Sequence, residues 1–163
     1  MNTVLLGALA GLAATAPMSL AMKLMHEQLP AHEQYPLPPR EVAMEVAEKA
    51  GVKHELDEPE REGLTWASHF AYGTACGAVY APLARAVDLP PPLTGAAFGF
   101  AVWAGSYLGW LPAMDILRPA TEHPPRRTAL MIAAHVVWGV AAGVIVDQLS
   151  DGRRDSQGGR RSR

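Results

Sequence analysis

A chain of 163 residues with a formal net charge of −2 is the size of one domain and offers no basic surface for nucleic acid. Its single cysteine, Cys76, excludes an internal disulfide and any cysteine-built zinc site. A mean hydropathy of +0.04 hides a segregation of charge: residues 3–22, 63–84, 89–114 and 128–146 carry no Asp, Glu, Lys or Arg, in runs of 20, 22, 26 and 19 residues.

A helix needs about 20 mostly apolar residues to cross a bilayer core, whereas a soluble helix shows a polar face at every turn. The expected fold is therefore all-α and integral to a membrane, with four transmembrane helices at about 3–25, 63–84, 92–114 and 128–149. The competing reading is a soluble Ala- and Gly-rich bundle, which would have almost no polar surface to turn to water. The spans are rich in Ala and Gly rather than Leu and Ile, as in helices that mainly face one another.

The first span contains Pro17 and a small-residue face at Gly7 and Gly11. Ala14-Thr15-Ala16 resembles a signal-peptidase site, but Met1-Asn2-Thr3 lacks a basic start and the apolar run continues to Met22, so an uncleaved span is expected. A polar insertion, 26–62, follows. Pro38 and Pro39 open an amphipathic helix at about 39–50, with Val42, Ala43, Val46, Ala47 and Ala50 on one face. Gly51 is its stop signal. Its apolar face either lies on the membrane surface or covers the mouth of the helical bundle. Asp57 reads as an N-cap, with Pro59 in the next turn. The second span then enters from solvent as one helix. The third ends near Pro112, in a loop holding Asp115, Arg118, Glu122, Arg126 and Arg127. The tail, 150–163, is Gly-, Ser- and Arg-rich, a composition typical of disorder.

Two stretches repeat. HFAYGTACG (69–77) and HVVWGVAAG (135–143) both read His, two residues, an aromatic, Gly, three residues, Gly. An offset of 66 also pairs Pro59 with Pro125 and Arg61 with Arg127. An offset of 88 pairs Gly7 with Gly95 and Gly11 with Gly99. The pattern predicts a duplicated two-helix hairpin with a pseudo-two-fold axis along the membrane normal. Gly73, Gly77, Gly139 and Gly143 follow the histidines down one helix face and form a seam for close packing, as Gly7, Gly11, Gly95 and Gly99 do.

His69 and His135 are expected at equal depth, about two turns below one membrane face, pointing into the bundle. An ionisable residue inside a membrane is a functional hypothesis by default. One reading is a neutral imidazole that bridges helices by a hydrogen bond. A second is a polar site for ions, protons or pH sensing, because imidazole titrates near 6.5; His26, Glu27, Asp115 and Arg118 would join the histidines at that mouth. A third is b-type haem held by both imidazoles. His32, His54 and His123 lack tight metal spacing and read as solvated. No nucleophile motif or phosphate-cradling loop is present, so the expected function is non-enzymatic. Besides the lipid bilayer, the smooth seams suit a homo-oligomer or a partner subunit of a membrane complex.

HFAYGTACGAVYA, LTGAAFGFAVW and PAMDILRPATEHPPRRTALMIAAHVVWG together resemble the YagU-like family of small bacterial inner-membrane proteins, over about 64–149. The opening residues depart from that family and fit a sister family. The resemblance implies a bacterial inner-membrane protein and no particular reaction. With four spans both termini share one side, which carries Arg85 and the five arginines of the tail. The other side carries eight basic residues, half of them in the long insertion, where they count for less. The termini are accordingly expected in the cytoplasm.

Overall fold

A computed structural model describes residues 2–161, with side chains described for 2–150. Among the described residues every regular element is helical. The long helices are α1 (Thr3–His26), α2 (Pro38–Lys49), α3 (Glu58–Ala84), α4 (Pro91–Gly105) and α6 (Pro125–Arg161). A π-helical turn, Ser106–Trp110, joins α4 to the short α5 (Leu111–Ala113). The expectation of disorder at 150–163 falls almost entirely on residues outside those whose side chains are described.

Local chemistry accounts for most boundaries. Asp57 caps α3 in a reciprocal box: its Oδ1 accepts from the Glu60 amide at 2.9 Å, and Glu60 Oε2 accepts from the Asp57 amide at 2.9 Å. Both first-turn donors are thereby satisfied. Gly51, at φ 76°, ends α2: its amide donates to Glu48 O at 2.9 Å and that of Val52 to Ala47 O at 3.0 Å. This is the left-handed cap that glycine adopts without a Cβ penalty. The third span differs from the expected continuous helix. Pro112 has no amide to give the Leu108 carbonyl, and its ring crowds that carbonyl. The backbone widens, with the Leu111 amide bonded back to Ser106 O and Gly109 absorbing the distortion at φ −115°, ψ −107°.

Packing pairs α1 with α3 and α4 with α6, while α1 against α6 joins the pairs. Each pair meets along glycines. A Cβ at Gly7 would overlap the Gly77 carbonyl oxygen, and one at Gly11 that of Gly73. In the second pair a Cβ at Gly95 would overlap the Gly139 oxygen, and one at Gly99 that of His135. The offsets of 88 and 66 would instead set Gly95 against Gly143 and Gly99 against Gly139. The second seam is thus displaced by one helical turn from the first.

The seams put small residues where helices touch: Ala10, Ala14, Ala81, Ala134 and Ala142 are buried there, while Met22, Tyr80, Trp103, Leu111, Met131 and Trp138 form the bulkier part of the core. Val4, Leu5, Leu9, Leu12, Leu20 and Leu24 of α1 are exposed. Two helices, Thr3–His26 and Pro125–Ser150, are long and apolar enough to cross a membrane.

The seams carry a direct test. Gly95→Ala or Gly139→Ala should destabilise the fold by about 2–4 kcal/mol, the range of overpacked or strained interiors, because backbone rather than a movable side chain stands in the way. Gly63→Ala, with nothing within 4 Å of the new Cβ, should instead gain about 0.5–1 kcal/mol. Thermal unfolding of the three variants in one detergent measures the contrast.

Candidate functional site

His69 and His135 line one cavity of about 230 Å³. Its floor and walls come from α1 (Thr15, Met18, Met22), α3 (Tyr72, Cys76) and the π-turn (Ser106, Tyr107, Trp110), and α2 closes it with Pro38, Pro39 and Val42. No Asp, Glu, Lys or Arg lines it. The widened backbone at Ser106–Trp110 turns three lining side chains into this space, as π-turns inside α-helices frequently do at functional sites.

The two imidazoles are held differently. His135 is buried, and its Nδ1–H donates to Met131 O at 2.7 Å. A carbonyl only accepts, so this bond sets the tautomer and leaves Nε2 as the lone-pair nitrogen. The Tyr107 ring meets the His135 ring edge-on at 5.7 Å, and the Tyr107 hydroxyl donates to Met131 Sδ at 3.6 Å. His69 is half-buried, and its Nε2 is buried with no hydrogen-bond partner.

The aromatic residue three places after each histidine reaches into the other helix pair. Trp138, on α6, donates from Nε1 to Gly11 O of α1 at 3.2 Å. Tyr72, on α3, shares a hydrogen bond of 2.8 Å with Ser106 Oγ in the π-turn beyond α4. Within the two equivalent stretches the glycines hold each pair together and the aromatics tie pair to pair.

The cover over the cavity hangs from Arg127. This side chain is 2% exposed, in the first turn of α6. Its Nη1 donates to Glu33 O at 3.2 Å and Tyr35 O at 3.0 Å, its Nη2 to Pro36 O at 2.6 Å, and its guanidinium lies 3.5 Å from the centre of the Tyr35 ring. Planar, multi-donor geometry of this kind is specific to arginine. Tyr35 in turn donates to His123 Nδ1 at 3.1 Å, while His123 Nε2–H donates to Arg118 O at 3.2 Å. The loop before α2 is thereby tied to the loop before α6. The amphipathic helix takes the second of its two expected positions: Ala43 and Ala47 are buried against the protein.

Electrostatics around the cover follow from burial. Burial lifts the Glu41 carboxyl above its ordinary value against the pull of Arg127 and Arg118. Burial first, and the Arg127 charge second, hold His26 below the ordinary imidazole value, with Glu27 acting the other way. Burial also depresses His123.

Of the residues singled out in the sequence, His69 and His135 meet at the cavity. Glu27, Asp115 and Arg118 are exposed, and neither they nor half-buried His26 lines it. Asp115 has a backbone reason for its position. At φ 52° it occupies the left-handed cap after α5, its amide donating to Pro112 O and that of Ile116 to Leu111 O. That cap directs the carboxylate outward. Arg127, Tyr35 and His123 form a cluster that no local motif marks. The signal in the sequence is electrostatic: a cation in the first turn of a helix faces the positive end of its dipole and needs another reason to be there.

Residues 1–157 match the profile of a family described as "Family of unknown function (DUF6789)". No curated protein and no solved structure matches the chain.

Two outcomes follow from the cover. Arg127→Gln should cost on the order of 2–3 kcal/mol, because buried carbonyls lose charged donors, and hydrogen exchange should rise at 33–49 before it rises in α1 or α3. His123 has its folded pKa below the unfolded value of about 6.5, so its contribution to stability is present above that value and is lost as pH falls through the folded pKa. Protection of the amides at 33–37 against exchange should accordingly fall as the pH drops below about 6.5, and His123→Phe should abolish the dependence at those amides.

Proposed function

Since the chain belongs to the DUF6789 family, we propose from its own geometry that it is a four-span membrane protein whose paired histidines line a covered cavity, where it takes up a proton or a small ligand. The observation that carries this reading is that His69 and His135, at matched positions in two repeated stretches, line a single cavity. The duplicated hairpin is supported by two glycine-lined seams, one turn apart in register, and by the reciprocal reach of Tyr72 and Trp138.

Four spans are supported by apolar side chains turned outward along the helices, among them Leu5, Leu9, Val79, Leu83, Phe100 and Leu108. The run 91–113 carries no charged residue. Its α geometry stops at Gly105 only because Pro112 disturbs the turn before it. Residues 63–84 are likewise uncharged, and the acidic first turns of α3 stand outside that run. The likeness of 64–149 to the YagU-like proteins belongs to this reading, which puts the chain in a bacterial inner membrane with cytoplasmic termini and the cover outside.

The groups facing the histidines are Thr15, Tyr72, Cys76, Ser106 and Tyr107, without a carboxylate. A metal or alkali cation finds no counter-charge there, and no cluster of three or more His, Cys, Asp or Glu forms a metal site among the described residues. A proton is the ion an imidazole itself accepts. A charge placed on either ring then requires water to enter, which links protonation to the α2 cover. Haem is disfavoured by size, since drug-sized ligands, themselves smaller than haem, take pockets of about 300–1,000 Å³ and this one measures about 230 Å³. A partner subunit would use the exposed apolar faces instead of the cavity, and that role predicts that both histidines tolerate glutamine with no change in pH response.

Topology and titration test the reading separately. On a Cys76→Ser background, Glu55→Cys and Thr121→Cys should react with an impermeant maleimide added outside the cell, and Val87→Cys should not. Labelling of all three alike would rule out the spans. In the purified protein, labelled His69 and His135 should take up a proton as the pH is lowered, with a change in tryptophan emission that His69→Gln and His135→Gln remove. A flat response in the wild type would sink the proton-linked role.

A further inference from the structure

The cavity has a composition that selects a ligand class. Its walls are mostly apolar side chains such as Met18, Met22, Val102, Leu111 and Trp138, and it holds no fixed charge. An engineered apolar cavity of about 150 Å³ accepts benzene, so about 230 Å³ accommodates one ring with small substituents. A charged or strongly hydrated molecule would lose its solvation without compensation.

The polar atoms are few and specific. His135 Nε2 is left as an acceptor by the bond its Nδ1–H makes to Met131 O. His69 Nε2 is buried and unpartnered. A hydroxyl is the simplest group that serves both, because it donates one hydrogen bond and accepts another.

One side of the cavity is closed by Tyr72 and Trp110, 40% and 39% exposed, whose rings pack on each other with centroids 6.1 Å apart. In the four-span reading this aromatic pair faces acyl chains, while α2 closes the aqueous end with Pro38, Pro39 and Val42.

We propose that the histidine cavity binds a neutral, lipid-soluble aromatic alcohol, with its hydroxyl between His69 and His135, reached from the bilayer when the Tyr72–Trp110 pair parts. This rests on the membrane reading above and narrows what the site takes. A free phenol and the head ring of a membrane quinol share this chemistry. A quinol would leave its tail between the parted rings.

The experiment uses the full chain in lipid nanodiscs, with Trp110 and Trp138 emission as the signal. The probes are 4-propylphenol, propylbenzene and a short-tailed benzoquinol, compared at equal mole fraction in the lipid. Saturable binding of 4-propylphenol, with propylbenzene at least about tenfold weaker, is expected, since burying the histidine nitrogens unpaired is costly. His69→Phe and His135→Phe should each reduce that preference to near unity in protein that remains monodisperse and helical. Val102→Trp, which fills the cavity, should remove binding of both. A quinol that binds tighter than the phenol identifies the tailed source, and the reverse identifies the free one. Equal affinity for phenol and hydrocarbon, or no saturable binding of either aromatic alcohol, overturns the proposal. If the maleimide pattern and the histidine titration stand while binding fails, the ligand class alone is wrong. If the maleimide pattern itself fails, the membrane reading falls and this inference with it.

Discussion

The closest approach in the molecule is backbone to backbone, and the rest of the architecture depends on it. At Gly7, Gly11, Gly95, Gly99 and Gly139 the space that a Cβ would need is held by a carbonyl oxygen of the facing helix. Contact at that range gives dispersion and weak Cα–H···O interactions over the length of a helix pair without large buried side chains. The consequence is that small residues lie on the seams, while the larger buried side chains, among them Tyr80, Trp103, Tyr107, Leu111, Met131 and Trp138, gather in one cluster.

Between the two tight pairs the packing is looser, and the cavity lies there. The one-turn displacement of the second seam has a local effect on the histidines. It brings the His135 carbonyl under Gly99, and His135 is buried where His69 is half-buried. Two equivalent positions therefore acquire unequal roles, one imidazole with its tautomer set by Met131 and the other with an unpartnered nitrogen. Tyr72 and Trp138 show the same asymmetry of partner, a side-chain hydroxyl for one and a backbone carbonyl for the other.

The cover converts an open gap into an enclosed cavity. Its stability rests on a buried guanidinium held by three backbone carbonyls and a tyrosine ring rather than by a matched carboxylate, since Glu41 approaches only to 3.9 Å. Carbonyl oxygens are presented by a loop whose shape is set by Pro36, Pro38 and Pro39, so the cation acts as the template for an otherwise weakly packed segment. This places the closed aqueous end of the cavity under the control of polar contacts, which respond to pH and charge more readily than a hydrophobic seam does.

The sequence by itself determined the long helices, the caps at Gly51 and Asp57, the glycine faces and the two histidines, because periodicity, capping and charge segregation are local properties of the chain. It did not determine the π-turn, although Pro112 and Gly109 are its cause, since a proline near a helix end is also compatible with simple termination. It placed Asp115 at the site, where the left-handed backbone at φ 52° instead turns it outward. It read Arg127 as one loop cation among several. Only the tertiary structure decided that Arg127 is buried, that α2 lies over the mouth and that both histidines share one cavity. Those outcomes depend on contacts between residues about 90 or more positions apart, and on a one-turn choice of register between glycine-lined helices that fits the pattern of small residues equally well in either setting.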